Sequence, residues 1–104
     1  MISEISVEEL DGVLAEGVVL IDVRMPDEYE EQRVPGAVLI PLPELPERFV
    51  EIPTGGVIHL ICRSGARSMK ACEFLSAKGY ETLNVIGGTT AWAESGRPTE
   101  SGSL

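Results

Sequence analysis

The chain has 104 residues, 43% of them apolar, which is enough for one compact domain with its own core. Eight basic and 17 acidic residues give a formal charge of −9. A field of that sign repels phosphate backbones and anionic headgroups, so neither nucleic acid nor a membrane surface is an expected partner.

In chain order, Ile2 to Ile5 reads as a short edge strand. Ser6-Val7-Glu8-Glu9 has the spacing of a capping box, in which hydroxyl and carboxylate each satisfy a free backbone amide. Val7, Leu10 and Leu14 recur at helical spacing before Gly17 ends the helix. Val18 to Val23 is a continuous apolar run, as in a buried parallel strand. Asp27 to Gln32, after Pro26, reads as a short acidic helix, and Val34-Pro35-Gly36 as a turn. Ala37 to Ile40 is another apolar strand. Pro41, Pro43 and Pro46 leave room only for a short helix through about Phe49. Val57 to Ile61 is apolar again, and Cys62 stands at its end. A tight loop leads into a helix from Arg67 to Lys78, with Ala71, Cys72 and Leu75 inward, Lys70 and Glu73 outward, and Gly79 closing it. Thr82 to Ile86 forms a strand, Gly87-Gly88 a turn and Thr89 to Ser95 a last helix. Residues 1–98 make one domain, and 99–104 (TESGSL) read as a disordered tail.

Short apolar strands alternating with helices predict an α/β fold, a central, mostly parallel sheet with helices on both faces. Ligands of such sheets bind outside the carboxyl ends of the strands, which is where Cys62 falls. Two cysteines are too few for a disulfide framework, and the N-terminus shows neither the basic start nor the apolar stretch of a signal peptide. Free thiols in a reducing cytoplasm are therefore expected.

The strongest chemical signal is Cys62-Arg63-Ser64-Gly65-Ala66-Arg67-Ser68. A tight loop containing glycine can turn successive backbone N–H groups toward one point. The helix that follows adds its positive end, and Arg63 and Arg67 add full charges. All three favour thiolate over thiol and lower the pKa of Cys62, giving a nucleophile inside an anion site. The other chemistry-bearing residues read as structural. Cys72 lies on the apolar helix face as a small core residue. His59 sits within a buried strand, and Trp92 packs in the core. Asp27, Glu28, Glu30 and Glu31 form a solvated face without the His or Cys partners of a metal site. Arg24 pairs with a neighbouring carboxylate such as Glu28. Nothing in the sequence calls for a metal or a cofactor.

The loop resembles the active-site loop of rhodanese-like domains. Further matches run along the chain in order: Asp22-Val23-Arg24 and Glu28-Tyr29, then Tyr29-x-x-x-Arg33-Val34-Pro35-Gly36-Ala37, then Gly87-Gly88-x-x-x-Trp92 and Gly96-x-Pro98. Arg33 stands where the family usually has His. The resemblance implies a sulfurtransferase in which Cys62 carries sulfur as a persulfide stabilised by the loop amides. It implies a small anionic donor such as thiosulfate, held by Arg63 and Arg67, and a nucleophilic acceptor, a protein or a small thiol. Two alternatives stand beside it. Cys-based phosphatases and arsenate reductases use related loops, but the phosphatase cradle is Cys-x5-Arg, against Cys62-x4-Arg67 here. Rhodanese-like domains also occur as non-catalytic binding modules, against which the presence of Cys62 in an unbroken loop argues.

Overall fold

Five parallel strands make the central sheet of the computed structural model, which describes residues 2–103. The strands are β1 (Ser3–Ile5), β2 (Val19–Asp22), β3 (Val38–Leu39), β4 (Val57–Ile61) and β5 (Glu81–Val85), in the spatial order β1-β5-β4-β2-β3. Register pairs Asp22 with Ile61, and Leu60 with Asn84. The helices are α1 (Val7–Leu14), α2 (Pro26–Glu31), α3 (Leu45–Arg48), α4 (Ala66–Ala77) and α5 (Gly88–Glu94). Single 3-10 turns flank α3 at Leu42–Glu44 and Phe49–Glu51, where the prolines deny the chain a longer helix. The capping box forms as read: the Glu9 amide donates to Ser6 Oγ at 3.1 Å, and the Ser6 amide to Glu9 Oε1 at 3.0 Å.

The alternation of strand residues divides the core in two. Ile58 and Leu60 of β4, and Cys62 just beyond it, face one side with Ile21, Ala71, Cys72 and Leu75, under α4 and α3. Ile61 faces the other, with Leu10, Leu20, Tyr29, Val85 and Trp92, under α1, α2 and α5. Each fully buried Leu or Ile contributes about 1.5–3 kcal/mol through water exclusion. β4, with a neighbour on each side and both faces covered, is the most sheltered place in the sheet. From β2 the chain passes by α2 to β3 on one flank. From β4 it passes by α4 to β5 on the other. The connections thus diverge at the carboxyl ends of β2 and β4, which opens a crevice there.

Two sequence expectations need correction. Arg24 does not pair with Glu28. It folds back on Asp22, donating from Nε at 2.9 Å and from Nη2 at 2.8 Å, while its own amide also reaches Asp22 Oδ1. Both side chains are buried, and Nη2 reaches on to the Gln32 carbonyl at 2.8 Å. A salt bridge this buried fixes the chain leaving β2, because removing either partner strands a charge out of water. The second correction concerns the tail. Glu100 and Gly102 do not trail free: Arg33 and Glu100 exchange both backbone hydrogen bonds at 2.9 Å, and the Gly102 amide donates to the Glu30 carbonyl. Arg33 also donates to the carbonyls of Tyr29 and Gly102 and lies over the Tyr29 ring. Leu104 lies outside the described residues. Among those residues, no helix is long and apolar enough to cross a membrane, and no three His, Cys, Asp or Glu side chains converge as a metal site.

Candidate active site

Cys62 sits one residue beyond β4, at the mouth of the crevice, and is 1% exposed. The chain must turn at once from strand to helix. Gly65 makes the turn at φ +116°, where a side chain would be strained. The turn brings the Gly65 amide to 3.1 Å from Cys62 Sγ. One turn into α4, the buried Ser68 hydroxyl lies 3.2 Å from the same sulfur. Burial alone pushes the Cys62 thiol up. The Ser68 hydroxyl and the amides of Ser68, Gly65 and Ser64 outweigh it, and the thiol ends below its ordinary pKa. The direction is the one expected from the sequence, but hydrogen bonds, rather than the arginines, carry it.

The two arginines part company. Arg63 is exposed and its side chain has no ion pair or hydrogen bond among the described residues. It helps line a cleft of about 120 Å3 whose other walls include Arg24, Glu28 and Thr89. Arg67, expected to hold an anionic donor, instead forks onto Glu28 of α2, with Nη1–Oε1 at 2.7 Å and Nη2–Oε2 at 2.9 Å. These bonds hold the Glu28 carboxyl well down, to about 2. Glu28 is therefore not part of a solvated face. It ties α2 to α4 across the cleft, while Asp27, Glu30 and Glu31 remain exposed. Ser64 and Ala66 are exposed loop positions, Ser64 acting through its backbone. His59 and Cys72 are buried: His59 Nδ1 meets the Val19 carbonyl at 3.2 Å, and burial pushes the Cys72 thiol up to about 11.

Four residues whose role sequence reasoning missed complete the loop's support. The Thr89 amide donates to the Cys62 carbonyl at 2.9 Å, and the Thr90 amide to the Arg63 carbonyl at 3.1 Å. Gly88 permits that approach, since a Cβ there would lie 2.3 Å from the Cys62 oxygen. Asn84, buried in β5, sets its Oδ1 2.5 Å from Ser68 Oγ and its Nδ2 3.2 Å from the Gly65 carbonyl. The sequence did hold a signal for it. An amide side chain set between Leu83 and Val85 in an apolar strand must find a hydrogen-bond partner once buried.

A family model for the rhodanese-like domain matches residues 6–95. The chain belongs to the rhodanese-like family. Among its relatives, a sulfurtransferase of Allochromatium vinosum is 43% identical over 101 residues, covering 94% of both chains. The thiosulfate sulfurtransferase PspE of Escherichia coli is 39% identical over 70 residues, covering 65% of this chain and 67% of that one. Among solved structures, a rhodanese-related protein from Thermoplasma volcanium superposes with a TM-score of 0.89 at 31% identity, covering 94% of this chain and 97% of that one. A rhodanese-like domain protein from Staphylococcus aureus gives 0.88 at 33% identity, covering 98% and 100%. This rhodanese-like domain therefore has the fold that its sequence motifs implied, over nearly all its length.

Proposed function

We propose that this domain is a sulfurtransferase that carries a sulfane sulfur as a persulfide on Cys62, taking it from an anionic donor such as thiosulfate. The names of its relatives support the general role. The finer reading rests on one observation: the buried Cys62 sulfur has the Gly65 amide at 3.1 Å and the Ser68 hydroxyl at 3.2 Å, donors that favour the thiolate. In the first displacement, the Cys62 thiolate attacks the outer sulfur of thiosulfate. The new S–S bond forms, the old S–S bond breaks, and sulfite leaves with its electron pair. The terminal sulfur inherits the negative charge, which amide N–H groups stabilise as they do any anion in a nest. In the second displacement, cyanide or an acceptor thiolate takes the outer sulfur and the Cys62 thiolate is restored. No general base is required, because both nucleophiles react as anions.

Arg63, exposed and unpaired among the described residues, is the cation that would meet the donor's charge. Arg67 acts by bracing α2, a role that also weighs against phosphatase chemistry, where an arginine must face the phosphate. The acceptor in the cell is a protein or small thiol, and a reducing compartment would keep Cys62 free to react. The test is thiocyanate formation from thiosulfate and cyanide. The wild type should form it and Cys62→Ser should not, since a neutral hydroxyl is a poor nucleophile. Hydrolysis of a phosphoester without sulfur transfer would overturn the reading. If neither reaction occurs with thiosulfate or a persulfide donor, the non-catalytic alternative replaces it.

A further inference from the structure

The Ser68 hydroxyl, fully buried, has one proton to give and three acceptors within reach. Asn84 Oδ1 lies at 2.5 Å, Cys62 Sγ at 3.2 Å and the Gly65 carbonyl at 3.2 Å. The orientation of the Asn84 amide follows from its other contacts. Nδ2 faces the Gly65 carbonyl at 3.2 Å, an oxygen that can only accept, and Glu4 Oε2 at 3.4 Å. Turning the amide over would set oxygen against oxygen at both contacts. Oδ1 therefore faces Ser68, as an acceptor only.

Proton counting separates three states of the cysteine. As a thiol, Cys62 can donate S–H to Ser68 Oγ while Ser68 donates to Asn84, and every partner is satisfied. As a bare thiolate, Cys62 needs the Ser68 proton that Asn84 also needs, and one buried acceptor is left short. With a terminal sulfur attached, the charge sits on that outer atom. The inner sulfur becomes a weak acceptor of the thioether kind, and Ser68 can return its proton to Asn84.

We propose that Asn84 is a positioning residue that competes with Cys62 for the single proton of Ser68, disfavouring the bare thiolate relative to the protonated and sulfur-loaded forms. The part concerning the loaded form rests on the sulfur-transfer reading, whereas the competition between thiol and thiolate stands without it. The charged and titratable groups around the network are Glu4 on β1, Asp22 and Arg24 at the end of β2, Glu28 on α2, Arg63 in the loop, and Arg67 and Cys72 on α4. The start of α5 brings only the uncharged Gly88, Thr89 and Thr90 against the loop.

The competition has a sign opposite to simple loop support. If Asn84 only propped the loop, its removal would slacken the amides and raise the pH at which Cys62 ionises. If it competes for the proton, its removal lowers that pH. The experiment is the pH dependence of Cys62 alkylation in the full chain, in a Cys72→Ala background so that one thiol reports. Asn84→Ala should lower the midpoint by about half to one pH unit, the size of one hydrogen bond. When Ser68→Ala is already present, Asn84→Ala should shift nothing further. Circular dichroism establishes folding first, and the Gly65 carbonyl keeps the Met69 amide in either variant. If Asn84→Ala does not fold, Asn84→Leu, closer in volume, carries the same expectation. A midpoint that stays or rises in a folded variant overturns the proposal, and so does a fall that persists without the Ser68 hydroxyl. A protein that shows the predicted pattern yet takes no sulfur from thiosulfate keeps the competition and loses the transfer reading.

Discussion

Replacing Gly88 by alanine tests whether the start of α5 holds the loop after Cys62 in place. Gly88 has φ +57°, where a Cβ costs about 1–2 kcal/mol. A Cβ there would also stand 2.3 Å from the Cys62 carbonyl oxygen and 2.7 Å from the carbonyl carbon and oxygen of Arg63. These are backbone atoms and cannot rotate aside, so the loop and α5 must separate. Overpacking of this kind costs about 1–3 kcal/mol. The movement also strains the hydrogen bonds from the Thr89 and Thr90 amides to those carbonyls. The sum is a loss of about 2–5 kcal/mol, or a fall in Tm of at least about 8 °C for a domain of this size. Thermal unfolding followed by circular dichroism measures it. Gly12→Ala is the control: nothing lies within 4 Å of its Cβ. Inside α1 it should stabilise by about 0.5–1 kcal/mol. If Gly88→Ala melts with the wild type and its Cys62 is alkylated at the wild-type rate, the clamp argument is wrong.

Three further outcomes follow from the site. The Arg67 bonds depress Glu28 to about 2 from 4.5, and a carboxyl depressed on folding stabilises the fold above its unfolded pKa. The advantage of wild type over Glu28→Gln in urea, about 1 kcal/mol at neutral pH, should shrink as pH falls from about 4.5 toward 2; a difference constant with pH would refute it. Arg63→Ala should raise KM for thiosulfate more than it lowers kcat, because the charge meets the donor in ground and transition states alike. An unchanged KM would show that Arg63 serves the solvent only. Cys72, pushed up to about 11, should resist alkylation in the folded protein at neutral pH, and Cys72→Ala should keep sulfur transfer; modification there by peptide mapping would contradict its core role.

What the sequence revealed and what it hid follow from sequence distance. The Ser6–Glu9 box, the apolar run ending in Cys62 and the glycine turn at Gly65 are local signals, and each took the form expected of it. The Glu28–Arg67 fork joins residues 39 positions apart, and nothing in α2 distinguishes Glu28 from Asp27, Glu30 or Glu31 until the fold brings one of them to α4. Arg24 reached Asp22 because the chain bends at the end of β2, a bend that an extended reading of Asp22-Val23-Arg24 did not supply. Gly88 was legible as part of a turn. Its closeness to the Cys62 carbonyl depends on β5 lying beside β4, and the tail's attachment depends on Arg33 reaching past Tyr29.

The central claim is that Cys62 holds a transferable sulfur, and intact mass spectrometry after incubation with thiosulfate tests it most directly. The wild type and Cys72→Ala should each gain the mass of one sulfur atom and lose it on addition of cyanide, while Cys62→Ser, with an unchanged circular dichroism spectrum, should gain none. A sulfur adduct that survives Cys62→Ser would move the site away from the loop and contradict the account.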